Sequence, residues 1–224
     1  MTASARRRPS APVVATLIAL ALVIVVAIAA IIIAIVTRPA PVSADDGPLP
    51  GTRSDSHVLD DAGPDAPTLV EFLDFECEVC GAFHPYIEEI RAQYDGRINY
   101  VVRYFPIPGH ANSMNAAIAV EAAAQQGRFE EMHDLMFETQ GEWGEGRASE
   151  AERFRGYAEE LGLEMSAYDD AVADPQTQAR VEEDFAEGRE MGVTGTPTFF
   201  LDGEKLELTS LTDLTDALDR AVGD

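Results

Sequence analysis

Apolar side chains recur along most of the chain with two different periods, and the change of period separates predicted strands from predicted helices. Residues 68–74, TLVEFLD, form a short apolar run with alternation, which is typical of a strand. Phe83, Ile87 and Ile90 then repeat at helical spacing. Residues 98–105, INYVVRYF, predict a second strand. Because a strand, a helix and a strand in close succession form a βαβ unit, the two strands should be parallel with a right-handed crossover.

The middle of the chain is predicted to be helical, as an insertion at about residues 107–191. Its helices are marked by an alanine-rich run over residues 111–126, an apolar face at Phe129, Met132, Leu135 and Met136, a segment over residues 151–161, and a segment from Pro175 to Met191. Ser149 and Glu152 match a capping box and predict the start of the third helix. Pro175 suits the first turn of the fourth.

The C-terminal part returns to strands and ends in a helix. Residues 198–201 predict a third strand, the pair Asp202-Gly203 predicts a hairpin, and residues 205–208 predict a fourth strand. The last helix is marked by Leu211, Leu214, Leu218 and Val222. The order βαβ, several helices, then ββα predicts an α/β fold with one mixed sheet and helices on both faces.

The N-terminal part predicts a membrane anchor. Residues 13–36 contain neither a charge nor a proline and are long enough to cross a bilayer as one transmembrane helix. The tail of residues 1–12 carries Arg6, Arg7 and Arg8, so it should stay cytoplasmic while the remainder lies outside. The alternative is a signal peptide cleaved near Ala44, although the apolar run is longer than such peptides need.

Residues 37–56 are rich in Pro, Gly, Ser and Asp and predict a flexible linker. The folded domain is therefore expected to occupy residues 57–224, at the outer side of a single-pass cell-membrane protein.

The charge balance restricts the possible partners. The formal net charge is −24, from 40 acidic and 16 basic residues. Such a surface repels nucleic acid and anionic lipid headgroups, so no nucleic-acid partner is expected. A preference for basic or neutral partners is one interpretation of this charge, and simple solubility is the other.

Cys77 and Cys80 are the only cysteines in the chain, and three functions compete for them. A structural zinc site needs four ligands, and no second ligand cluster accompanies this pair, so no metal is predicted. A structural disulfide is a second possibility, but a loop this short gives little stabilisation. A bond that is repeatedly made and broken is the third.

The position of the pair favours the redox interpretation. A strand ends and a helix begins here, and the amide groups of a helix N-terminus favour a thiolate at Cys77. Cys80, one turn into the helix, should be more shielded, which would leave one exposed attacking sulfur and one resolving sulfur. Disulfides persist outside the cytoplasm, in agreement with the predicted topology.

Two motifs together carry a resemblance to a known family. The C-x-x-C at the strand-to-helix turn is followed far downstream by Gly195-Thr196-Pro197-Thr198, before a strand. With Phe75, Phe83, the stretch 110–137 and the segment 193–203, the sequence over residues 66–222 resembles the DsbA-like branch of the thioredoxin-fold thiol–disulfide oxidoreductases.

The resemblance implies a thioredoxin-like fold with a helical insertion and a cis Pro197 that faces the cysteines. The backbone of Thr196 would then pair with a substrate. It also implies disulfide exchange through Cys77 and Cys80 with exported cysteine-containing proteins, no bound cofactor, and reoxidation by a quinone-linked membrane partner. An oxidase is favoured; a reductase or isomerase, or a redox-inactive binding domain, are the alternatives.

The sequence departs from the family next to the cysteines. Glu76 and Glu78 are expected to disfavour the Cys77 thiolate and so to weaken the protein as an oxidant. His84, on the same helical face as the cysteines, is a further candidate modulator, as a proton relay or as a counter-charge to the carboxylates. A packed structural role is the alternative for His84.

Overall fold

The computed structural model describes residues 51–144 and 146–223, which build a five-stranded mixed sheet with helices around it. The strands are β1 (His57–Asp60), β2 (Thr68–Leu73), β3 (Asn99–Tyr104), β4 (Thr198–Leu201) and β5 (Glu204–Lys205). Their order across the sheet is β1-β3-β2-β4-β5. Strands β2 and β3 are parallel, as predicted from the βαβ pattern, and the other neighbours are antiparallel.

Seven α-helices and one short 3₁₀ helix accompany the strands in the described residues. They are α1 (Glu78–Gln93), α2 (Ser113–Ala124), α3 (Phe129–Glu138), the 3₁₀ helix Gln140–Glu142, α4 (Ala151–Glu160), α5 (Met165–Ala173), α6 (Pro175–Glu190) and α7 (Thr212–Val222). Helices α2 to α6 all lie between β3 and β4 in the chain, so the predicted helical insertion is confirmed.

Alternate residues of β2 face two separate apolar cores. Leu69 and Leu73 belong to the larger core, which includes side chains from α1, α7 and the insertion. Val70 and Phe72 belong to a smaller core, against which Phe185 of α6 packs. Both faces of the sheet are thus covered, which explains why every residue of β2 is buried.

Some element predictions were wrong. The N-cap of α4 is Glu150, without a side-chain capping bond, so Ser149 and Glu152 do not form the predicted capping box. Strand β5 has two exposed residues where 205–208 was predicted, because the chain leaves the sheet edge after Leu206 donates to Phe199. Leu211 was predicted to mark the last helix, but it precedes α7 and is exposed. Strand β1 and helix α5 were missed.

The N-terminal boundary also differs from the sequence prediction. Arg53 pairs with Glu183 and with Glu187 on α6, and Arg103 donates to the carbonyl oxygen of Gly51 at 3.2 Å. Residues 51–56, predicted as the end of the linker, therefore contact the domain. The rest of the predicted linker, the predicted anchor over residues 13–36 and the tail before it lie outside the described residues. No helix within the described part is both long and apolar enough to span a bilayer.

Candidate functional site

The turn that carries Cys77 is fixed by one buried carboxylate. Strand β2 ends one residue before Asp74, whose backbone oxygen accepts from the Cys77 amide at 3.1 Å. The Asp74 side chain is fully buried. It accepts from the amides of Glu76 and Ile107, from the Ser113 hydroxyl, and from His110 Nδ1 at 2.7 Å. The bond from Glu76 closes the turn itself, and the other three join it to the loop after β3 or to α2, so the turn has little freedom to move.

Gln140 holds the same turn from the side of the insertion. Its Nε2 donates to the carbonyl oxygens of Phe75 at 2.7 Å and Cys77 at 2.9 Å. Gly81 leaves the room for this amide, since a Cβ there would lie 2.0 Å from Gln140 Oε1. Gln140 is not predictable as a site residue, because nothing in its local sequence distinguishes it from any other polar residue.

The Thr196–Pro197 peptide bond is cis, as the resemblance implied. Strand β4 begins at Thr198, which pairs with Phe72 near the end of β2 and so brings this segment to the cysteine turn. The Cys77 thiol donates to the carbonyl oxygen of Thr196 at 3.4 Å. The two motifs that carry the resemblance are therefore in contact.

Cys77 and Cys80 differ in ionisation more than in exposure. Their side chains are both buried, at 5% and 1% exposure, so the expected exposed sulfur at Cys77 is not observed. A hydrogen bond from the Cys80 thiol lowers the pKa of Cys77 from 9.0 to about 5, with help from Thr196 and from the amides of Cys80 and Val79, and against the effect of burial. Burial and the Cys77 sulfur raise the pKa of Cys80 well above its usual value.

The pKa of Cys77 is lowered although two carboxylates neighbour it in the sequence. Glu76 is buried, and its carboxylate accepts from the amide of Asn112 at 2.5 Å, whereas Glu78 is exposed in the first turn of α1. Neither is among the strongest influences on the pKa of Cys77. The Cys80 thiol, Thr196 and the local amides are therefore the main groups that lower this pKa.

Glu76 and Glu78 instead line a cavity of about 220 Å³ with His110 and Arg147. Although burial works against it, Asp74 raises the pKa of His110. Since the Arg147 side chain is cationic and lines the same cavity as the two glutamates, this side of the site has mixed charge.

Glu71, in the middle of β2, was not identified from the sequence as a site residue. It is buried, and burial raises its pKa from 4.5 to about 7. Tyr100 donates to its carboxylate at 2.5 Å. The charge of Glu71 also contributes to the raised pKa of Cys80, so the two groups influence each other. An acidic residue within the apolar run TLVEFL was the signal available in the sequence.

His84 contacts the helical insertion. Its ring stacks on Phe137 with centroids 5.0 Å apart and lies 5.3 Å from the ring of His133. Burial, with the neighbouring His133, lowers the pKa of His84. The packed role is therefore the one its contacts support.

The comparisons with known proteins agree with this geometry. A family model described as thioredoxin matches residues 63–220, well over half of the chain, and the chain belongs to that family. A sodium/proton antiporter NhaA of Salinispora tropica is 39% identical over 139 residues, which cover 62% of this chain and 20% of the antiporter. The chain thus spans about a fifth of that relative's length.

Solved structures share the fold of this domain. A thioredoxin-like oxidoreductase from Silicibacter pomeroyi is 28% identical with a TM-score of 0.62, covering 77% of this chain and 95% of that one. The α-DsbA1 protein of Wolbachia pipientis has a TM-score of 0.66 at 21% identity, covering 77% and 93%. The domain has a thioredoxin-like α/β fold, and its structural neighbours include a thioredoxin-like oxidoreductase and a DsbA protein.

Proposed function

We propose that this protein is a thiol–disulfide oxidoreductase that exchanges disulfides through Cys77 and Cys80 and acts mainly as an oxidase. The observation that carries the proposal is the position of Cys77 at the start of α1, 3.4 Å from the Thr196 carbonyl oxygen, with its pKa lowered to about 5. A thiol that ionises so readily is a good leaving group in disulfide exchange.

In the proposed reaction, a substrate thiolate attacks the Cys77 sulfur of the Cys77–Cys80 disulfide. Cys80 leaves and takes a proton, as its raised pKa favours. A second substrate thiolate then attacks the substrate's own sulfur in the mixed disulfide, and Cys77 leaves as the thiolate. The substrate gives up two electrons and forms a disulfide, and the enzyme accepts them as a dithiol. Thr196 and Pro197 would support the substrate backbone beside the sulfur.

The direction of net electron flow follows from the stability of the reduced form. Lowering the pKa of one thiol stabilises the reduced protein relative to the disulfide at neutral pH, which makes the disulfide a stronger oxidant. The lowered pKa of Cys77 therefore supports an oxidase over a reductase or isomerase.

We further propose that residues 13–36 anchor the protein in the cell membrane, with residues 1–12 cytoplasmic and the thioredoxin-like domain outside. Exported cysteine-containing proteins would be the substrates, and a quinone-linked membrane protein would reoxidise the dithiol. The support is the sequence pattern, including the three arginines before the apolar run. Labelling of a single introduced surface cysteine in a Cys77→Ala/Cys80→Ala background, in intact cells, tests this topology.

The test of the exchange chemistry compares two variants in cells. Cys77→Ala should abolish turnover, whereas Cys80→Ala should leave Cys77 in mixed disulfides with exported proteins. Equal trapping by both variants would contradict the assigned roles. A glutathione redox titration then decides the direction, because a potential near that of cytosolic reductants would exclude an oxidase.

A further inference from the structure

Two histidines and one aspartate from α1 and α3 form a ligand cluster that the exchange reaction does not use. In the part of the chain that the structure describes, His84, His133 and Asp134 each offer a ligand atom, and these atoms lie within 4.8 Å of one another. His84 comes from the helix that carries the cysteines, and the other two come from the insertion.

We propose that His84, His133 and Asp134 bind a divalent transition-metal ion, with Zn²⁺ the best fit. Two imidazoles and one carboxylate form an N/O ligand set that suits Zn²⁺, whereas Ca²⁺ and Mg²⁺ prefer oxygen alone. Three protein ligands leave a fourth position for water. A zinc ion holds its ligands about 2.1 Å away and thus roughly 3.4 Å from one another. The cluster therefore has to contract only modestly.

The three side chains are of the right chemical type for the proposed ion. A metal ion is bound by neutral imidazoles and ionised carboxylates. His133 Nδ1 and an Asp134 carboxylate oxygen already lie 2.9 Å apart, so two of the three ligand residues are in direct contact.

His133 supplies an independent reason to expect a ligand. Its side chain is 1% exposed, and its Nε2 has no hydrogen-bond partner among the described residues. A buried polar atom without a partner carries a free-energy cost, and metal coordination by one ring nitrogen fixes the tautomer of the other.

The surrounding charge favours a cation. Besides Asp134, the carboxylates of Glu88 and Glu138 act on His84, and the chain as a whole carries a formal charge of −24. The site would join α1 to α3 at a point where the stack of His84 on Phe137 and the pair Arg91–Glu130 already connect them. A bound ion would thus restrain the cysteine helix against the insertion.

The experiment uses the full chain in a Cys77→Ala/Cys80→Ala background, because reduced thiols also bind Zn²⁺. After treatment with a chelator, Zn²⁺ is titrated by calorimetry, Co²⁺ is titrated while its visible ligand-field absorption is followed, and Tm is measured with and without Zn²⁺. We expect one ion per chain, a Co²⁺ spectrum with nitrogen and oxygen ligands, and a rise in Tm on Zn²⁺ binding.

Two variants with matched controls assign the ligands. His84→Gln and Asp134→Asn change partly exposed residues, so both variants should fold. Each should weaken Zn²⁺ binding by more than about tenfold, because even the loss of a residue that only supports a ligand lowers metal affinity by about this factor. Two control variants should bind Zn²⁺ as the background does. His110→Gln alters a histidine–carboxylate pair for which the described residues offer no third ligand, and Glu131→Gln alters an exposed carboxylate on α3. Absence of binding, or equal binding in all four variants, would overturn the proposal.

Discussion

Cys77 and Cys80 lie within one turn of α1 and are both buried, yet their thiols ionise very differently. The pKa of Cys77 falls to about 5, whereas the pKa of Cys80 rises well above its usual value. The difference arises because the Cys80 thiol donates to the Cys77 sulfur, so one proton serves both atoms. At the scale of residues, this shared proton is what makes the two cysteines chemically distinct.

Thr196 offers a test of the thiolate environment. Its hydroxyl is buried and bonds to no other group among the described residues while Cys77 is a thiol, and as a hydrogen-bond donor to the thiolate it helps to lower the pKa of Cys77. We predict that Thr196→Val raises this pKa by about one unit, because a hydrogen bond to a charged group contributes at least about 1.5 kcal/mol and one pKa unit corresponds to about 1.4 kcal/mol. The measurement is thiolate ultraviolet absorbance against pH in the reduced protein, whose wild-type midpoint should lie near 5.

Thr198→Val is the matched control for that experiment. The Thr198 hydroxyl donates to the Gly195 carbonyl oxygen at 2.7 Å, so its loss should leave the midpoint unchanged. Equal midpoints in Thr196→Val and the wild type would show that the hydroxyl does not reach the sulfur.

Glu71 should make the stability of the fold depend on pH. Its pKa is about 7 in the folded protein, above the reference of 4.5, so the folded state binds more protons between these values and stability falls as pH rises through this window. A shift of this size corresponds to about 3 kcal/mol. We predict that Glu71→Gln removes this loss, so that the variant gains stability over the wild type at pH 8 relative to pH 4. Urea unfolding of the oxidised protein at several pH values measures the effect.

Using the oxidised protein excludes the ionisation of the cysteines from that comparison. Glu89→Gln, an exposed position on α1, should keep the pH dependence of the wild type. If Glu71→Gln showed the same pH dependence of stability as the wild type, the pKa of Glu71 would not be raised by folding.

At the scale of elements, the sequence predicted what depends on period and spacing. The βαβ unit, the insertion and the hairpin at Asp202-Gly203 follow from apolar periodicity and from turn residues that tolerate positive φ, here 52° and 81°. Strand β1 was missed because its four residues, HVLD, show little burial contrast. Cys77, Cys80 and the cis bond were predicted from motifs. Gln140 and the Asp74 network were not, because they join segments far apart in the chain.

The contact between Gly81 and Gln140 predicts a coupling between α1 and the insertion. A Cβ at Gly81 would displace the Gln140 amide from the carbonyl oxygens of Phe75 and Cys77. We predict that Gly81→Ala destabilises the wild type. In a Gln140→Ala background it should instead stabilise, by up to about 1 kcal/mol, because alanine is the better helix former. Urea unfolding of the double-mutant cycle measures this change of sign.

Gly156 in α4 provides the control, since a Cβ there meets nothing within 4 Å. Gly156→Ala should stabilise both backgrounds equally. A cost of Gly81→Ala that stays the same without Gln140 would place the strain elsewhere in the helix.

At the scale of the whole molecule, the redox state and the folding stability are linked. The reduced protein contains the Cys77 thiolate, and the oxidised protein does not. Any free energy that stabilises this thiolate in the folded state therefore also makes the disulfide easier to reduce. The same local contacts around Cys77 thus set both the stability difference between the two forms and the oxidising strength proposed for the protein.

This linkage predicts how that difference changes with pH. The pKa of Cys77 is about 5 in the folded protein, below the reference of 9.0. A lowered pKa contributes stability that is fully present above pH 9 and is lost as pH falls to about 5. We therefore predict that the difference in unfolding free energy, reduced form minus oxidised form, increases steadily from pH 5 to pH 9. The contribution of Glu71 largely cancels in this difference, because both forms contain Glu71. Urea unfolding of both forms measures the slope.

Thr196→Val should make this slope shallower, and Thr198→Val should not. A difference that does not change with pH would mean that folding does not stabilise the Cys77 thiolate, and the argument for an oxidase would then lose its basis.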